Sequence, residues 1–262
     1  MQLLFRLAAG LGQSLTRFLE NLGGEMRLGW QVVQQSFKRP LEISETMRQI
    51  DHLGIGSLTI GLLTIYFTGM VFAIQFAVGL DRFGGKEYVS VVTGLAILRE
   101  LGPVLVSVVV GGRVGSGIAA ELGSMAVTEQ IDAIRALGAN PVKKLVVPRM
   151  WAMLLALPAI ALLADLVGIA GGMTIGVVEI GIRPITYVTD TLDSVQLVDL
   201  FSGLIKTYFF AAGLVLISCY NGMNTYGGTE GVGQSTTKTV VAGLIFIFLS
   251  DFFLTRILLV LG

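Results

Sequence analysis

The chain has 262 residues, of which 53% are hydrophobic, only 14% are charged and 34 are glycine, against about 25% charged and about 7% Gly in soluble domains. With a mean hydropathy of +0.79, this composition excludes a water-soluble globule, a disordered tail, a collagen and a disulfide scaffold, and it points to an integral membrane protein. Eighteen Lys and Arg balance eighteen Asp and Glu, so no net field draws the chain onto nucleic acid. One cysteine, Cys219, and one histidine, His52, cannot make an intrachain disulfide or a zinc cluster. Neither a metal site nor a cofactor of its own is expected.

Residues 1–52 form the first region. Arg6, Arg17 and Glu20 punctuate the apolar residues, which does not fit a cleavable signal. Leu4, Leu7, Leu11, Leu15, Phe18 and Leu22 recur every three or four residues and predict an amphipathic helix. It lies either in the membrane interface or on a protein neighbour. Residues 53–262 form an all-α transmembrane domain of about five spans, each near the roughly 20 residues that cross a bilayer. The expected spans are Leu53 to Leu80, Tyr88 to Gly112, Val146 to Val178, Val195 to Tyr220 and Val240 to Leu261. Trp30 and Trp151 fall near boundaries, where amphipathic rings are at home. Glycines at 54, 56 and 61 and at 111, 112, 115 and 117 permit close helix contacts, either between two copies or within one.

Lys and Arg concentrate before the first span (Lys38, Arg39, Arg48) and in the second loop, 113–149 (Arg113, Arg135, Lys143, Lys144, Arg149). The first and third loops hold only Arg82, Lys86 and Arg183. The N-terminus is therefore expected in the cytoplasm and the C-terminus outside. Within loop 113–149, apolar Met125, Ile131, Ile134 and Leu137 alternate with Glu121, Glu129, Asp132 and Arg135. The pattern predicts a short amphipathic helix over 121–138, stopped by Gly138 and a turn at Pro141, which either serves a partner or lies flat on the bilayer.

Charges inside the spans carry the most information. Glu100, with Arg99 beside it, falls near the middle of the second span, Lys206 near that of the fourth and Asp251 near that of the fifth. Each costs about 2.5–3.5 kcal/mol if left in lipid, so Lys206 is expected to meet Glu100 or Asp251. Arg99 and Glu100, about 100° apart on a helix, need different partners. The group either lines a substrate path or fixes helix register. Asp165 and Arg256 are weaker candidates. The stretch 79–87, GLDRFGGKE, lacks the Gly and the Ser or Thr that a phosphate-binding loop needs, and Ser116 has no catalytic partners. No catalytic residue is expected.

The run RELGP at 99–103, Gly112-Arg113-x-Gly115-Ser116, Ala119-Ala120-Glu121-Leu122-Gly123-x-Met125, Glu129-Gln130-Ile131-Asp132-Ala133, Gly138 and Pro148-Arg149 resembles the MlaE permease family over essentially the whole chain. These are the membrane subunits of MCE-type ABC transporters that move phospholipid between the two membranes of Gram-negative bacteria. The resemblance implies a homodimer in a bacterial inner membrane, with an ABC ATPase subunit that binds ATP and Mg. It also implies a STAS-domain protein on that ATPase and a periplasmic MCE-domain hexamer. ATPase coupling would fall to Glu121, Glu129, Ile131, Asp132, Ile134, Arg135, Leu137 and Gly138, and Arg99, Glu100, Lys206 and Asp251 would line the lipid cavity. A permease for a smaller polar solute and a non-transporting scaffold are the alternatives.

Overall fold

In a computed structural model, the backbone is described for residues 2–40 and 42–261 and the side chains for residues 16, 19–40 and 42–260. Helix α1 spans Gln2–Ser36. The side chains of Leu4, Leu7, Leu11, Leu15 and Phe18 lie outside the described residues, while further along Leu28 and Val32 are buried and Met26, Trp30 and Val33 are exposed. The amphipathic division is thus seen in the C-terminal half of the helix.

Five helical stretches are long and apolar enough to cross a membrane: 43–81, 86–127, 142–178, 197–223 and 228–260. The first joins α2 (Ile43–Gln49) to α3 (Gly56–Asp81) through a π-turn at Ile50–Ile55. The second joins α4 (Val89–Ala96) to α5 (Gly102–Val127) through a π-turn at Ile97–Leu101. Then come α6 (Gln130–Ala136), α7 (Val147–Val178), α8 (Pro184–Ser194), α9 (Leu197–Met223) and α10 (Gly228–Leu261). The chain is a multi-pass, all-α membrane protein with no strand among the described residues.

Helix α5 is central, packing on α3, α7, α9 and α10. Its buried Val106, Val110, Val114, Ile118 and Leu122 share one face at helical spacing. Contact between α3 and α7 is closer than side chains allow. A Cβ on Gly69 would strike the Gly168 carbonyl, and one on Gly171 would strike the Tyr66 carbonyl. Gly54, Gly61, Gly111 and Gly115 likewise face Ala156, Val110, Leu214 and Ser218 of the same chain, whereas Gly112 and Gly117 face open space. Most of these glycines therefore serve packing within one copy.

Several boundaries differ from the sequence expectation. The first and fifth spans begin at Ile43 and Gly228, earlier than Leu53 and Val240, because the polar residues there continue the helix beyond its apolar run. Residues 113–127, expected in a loop, extend α5. The helix expected over 121–138 is broken at Glu129, whose φ of 59° is left-handed, and only Gln130–Ala136 is a separate helix. Gly138, with φ of 77°, supplies the expected stop. The third loop contains α8, which lacks the length of a span and is pinned by fully buried Tyr187 against Gly172 and Gly176 of α7.

Candidate functional site

Pro103 sits in the first turn of α5 and has no N–H to give the carbonyl four residues earlier, that of Arg99. The π-turn at Ile97–Leu101 re-spaces the backbone here, a distortion common at functional sites. Helix α9 closes directly onto this break, since a Cβ on Gly203 would strike the Leu98 carbonyl and meet Pro103 Cγ at 2.9 Å. One turn further along α9, Lys206 Nζ donates to the freed Arg99 carbonyl at 3.0 Å.

The same ammonium reaches Glu100 Oε2 at 2.7 Å and Asp251 Oδ1 at 3.0 Å. Lys206 is 2% exposed; neutralised by two carboxylates and a carbonyl, it satisfies the rule that a buried charge be paired. Glu100 also accepts a hydrogen bond from Thr255 Oγ1 at 3.2 Å, which ties α10 to the π-turn. Arg99 points elsewhere, as its helical offset requires, and pairs with Asp199 at 2.6 Å. Asp199 in turn accepts the Gln196 N–H at 2.9 Å, closing the capping box that starts α9.

Two carboxylates, Glu100 and Asp199, and two cations, Arg99 and Lys206, thus line a recess of about 150 Å³, completed by Val198, Ser202, Leu258 and Leu259. Its polar groups are not equivalent. The Lys206 side chain is 2% and that of Asp199 5% exposed, whereas those of Arg99 and Glu100 are 45% and 41% exposed. Arg99 and Glu100 can meet a ligand directly, and Lys206 and Asp199 hold them in position.

Of the four residues expected on the path, Arg99, Glu100 and Lys206 line the recess, and Asp251 joins them only through its ion pair with Lys206. Asp199 and Thr255 escape sequence reasoning: Asp199 reads as a helix cap, and Thr255 carries no charge to flag it. Asp165 lies elsewhere, 3% exposed, with its Oδ1 packed against Gly102 and no ion pair among the described residues. Arg256 is exposed.

At the opposite end, the eight residues expected to couple to a partner are dispersed in role. Ile131 is 3% exposed and belongs to the chain's own core, whereas Leu137 is 86% exposed. Glu121 pairs with buried Arg149 at 2.7 Å, Asp132 pairs with Arg135 at 2.7 Å, and Glu129 makes the left-handed break before α6 and Gly138 the one after it. Ile134 and Leu137, with Glu42, Glu45, Glu121, Lys144 and Arg149, line a groove of about 400 Å³ between α2 and α6. Lys144 bridges it to Glu42 at 2.7 Å.

A family model described as Permease MlaE matches residues 46–257. The chain is 36% identical over 256 residues to a probable ABC transporter permease protein of Rickettsia typhi, covering 98% of this chain and 99% of that one. It is 41% identical over 225 residues to the chloroplastic protein TRIGALACTOSYLDIACYLGLYCEROL 1 of Arabidopsis thaliana, covering 86% and 64%. It is also 32% identical over 253 residues to the intermembrane phospholipid transport system permease protein MlaE of Haemophilus influenzae, covering 95% and 96%.

Proposed function

The chain belongs to the MlaE permease family, and on that premise we propose that it is the membrane subunit of an ABC transporter that moves phospholipid between two membranes. The observation that carries the substrate class is the recess around Arg99 and Glu100. A charged headgroup needs a few polar groups at one level, and its acyl tails need an apolar surface beside them. The recess is of headgroup size, about 150 Å³, and Leu258 and Leu259 border it, next to exposed Phe252, Phe253 and Ile257 on α10. The phospholipid role named for the Haemophilus influenzae relative supports the same substrate.

The chain works as a transport subunit, with ATP and Mg handled by an ABC ATPase partner. In the proposed assembly that ATPase docks in the groove between α2 and α6, the chain pairs with a second copy, a STAS-domain protein joins the ATPase, and an MCE-domain hexamer stands on the periplasmic side. The inner membrane is the proposed location. Its N-terminus faces the cytoplasm with the basic residues 38, 39, 143 and 144, and its C-terminus faces the periplasm. The test is transfer of labelled phospholipid from vesicles holding the complete complex. Arg99→Ala is expected to reduce ATP-dependent transfer while the ATPase still co-purifies. Undiminished transfer by that variant, or transport of a small polar solute in place of lipid, would count against the proposal.

A further inference from the structure

A second polar recess lies at the other end of the α9–α10 pair. Asn221 follows Lys206 by 15 residues on α9, and Ser235 precedes Asp251 by 16 on α10, so about 22–24 Å separates the two levels. This recess, about 550 Å³ in volume, is bounded by α1, the end of α9 and the start of α10, with Glu20, Asn221, Tyr226, Ser235 and Lys238 among its lining residues. Helix α1 is held against it through Gly24, where any Cβ would strike the Tyr220 ring.

Two lining side chains are buried and unpaired. Asn221 is 6% and Ser235 8% exposed, yet neither Asn221 Nδ2 nor Ser235 Oγ has a hydrogen-bond partner. Buried polar groups are rarely left unpaired, because each costs about 1–3 kcal/mol. Ser235 leaves the carbonyl four residues earlier unused, as do the buried hydroxyls of Thr93, Ser107 and Thr239, whereas Ser218 and Ser250 bond theirs. Lys238 makes no ion pair within 4 Å among the described residues. Asn221, Ser235 and Lys238, whose ammonium also acts on the half-buried Glu25 carboxylate, share the lining of one recess with the Glu20 carboxylate and the Tyr226 ring.

We propose that this recess binds a phosphoester carrying an ammonium group, the chemistry of a phosphoethanolamine headgroup. Phosphate oxygens accept from Asn221 Nδ2, Ser235 Oγ and Lys238 Nζ, and the ammonium lies against Glu20 and the face of Tyr226. The site is separate from the recess around Glu100, and binding here does not require that the chain transport lipid. The chemistry has two sources, a phospholipid in the adjoining leaflet or a soluble phosphoester.

The full chain in detergent is titrated with phosphatidylethanolamine and, separately, with phosphoethanolamine and inorganic phosphate, and bound ligand is read by native mass spectrometry. Ser235→Ala and Lys238→Gln, the second at an exposed position that leaves the fold intact, are each expected to weaken binding by about tenfold or more. Glu20→Gln is expected to abolish the preference for phosphoethanolamine over inorganic phosphate. Arg99→Ala at the other recess is expected to change nothing here. Retention of the lipid identifies a leaflet headgroup as occupant, and retention of phosphoethanolamine alone identifies a soluble one. Binding that is absent, or equal in wild type and both variants, overturns the proposal.

Discussion

At Lys206 Nζ three oxygens meet, the Glu100 carboxylate and the Arg99 carbonyl accepting hydrogen bonds and Asp251 as an ion-pair partner, and the side chain is almost wholly enclosed. Lys206→Met leaves Glu100 and Asp251 as uncompensated neighbours, and removing one partner of a buried pair costs about 3–5 kcal/mol. The expected result is a lower melting midpoint and poor recovery of the complex. The triple variant Glu100→Gln, Lys206→Met, Asp251→Asn, which carries no charge, should regain most of that stability. Thermal unfolding in detergent checks this, and a single Lys206→Met variant as stable as wild type would show that the cluster holds nothing together. Arg99→Gln is expected to behave differently, because its side chain is 45% exposed and can reach a headgroup. Transfer should fall about tenfold, the loss of one charge-assisted hydrogen bond, with assembly retained because a Gln at 99 can still donate to Asp199, which also keeps the Gln196 N–H. The charges themselves are legible in the sequence because an ionisable residue in an apolar run must find a partner. The division between holding and meeting residues is not, since burial of Lys206 depends on how closely Gly203 lets α9 approach Leu98.

Helix breaks illustrate where sequence patterns stop being informative at the level of elements. The alternation of Met125, Ile131, Ile134 and Leu137 with charged residues reads as one helix over 121–138. In the structure, the left-handed Glu129 turns the chain so that Ile131 enters the core and Leu137 leaves it. A periodic pattern records that residues share a face; it does not record a single residue reversing the chain between them. By contrast, Gly138 and Pro141 mark the end of α6 because their backbone requirements are local. It follows that Leu137→Asp, not a change at Ile131, tests ATPase docking. Replacing an exposed apolar anchor by a charge should release the ATPase during purification while the permease keeps its melting midpoint, and an intact complex would place the docking surface elsewhere. A parallel case is the contact of α3 with α7. Gly171→Leu must push the Tyr66 backbone aside, so it should lower expression and thermal stability, and normal stability of that variant would show that the two helices are not in such close contact.

On the scale of the whole molecule, the five spans and their order are legible because hydropathy sets them directly. Which faces remain for a second copy is not, because lipid and protein are equally apolar neighbours for Phe or Leu. The glycine clusters that invite a dimer reading in the sequence are mostly consumed inside the protomer, at Gly54, Gly61, Gly111 and Gly115. Helix α10 remains the most open element, with Val241, Ile245, Phe248, Leu249, Phe252 and Phe253 each more than half exposed. The recess around Glu100 opens beside its C-terminal end at Leu258 and Leu259. A headgroup held there with its tails along α10 is shielded from bulk lipid only if another surface faces α10, and a second copy related by a two-fold axis supplies one. Native Cys219 is fully buried and need not be removed. Single cysteines at Phe252 and Leu259 are therefore expected to cross-link into a species of twice the chain mass with a short bifunctional reagent, in membranes and in the purified complex. A cysteine at Leu166, on the exposed side of α7, should remain monomeric. Cross-linking at Leu166 with none at Phe252 or Leu259 would move the two-fold axis to α7 and leave the recess open to the bilayer.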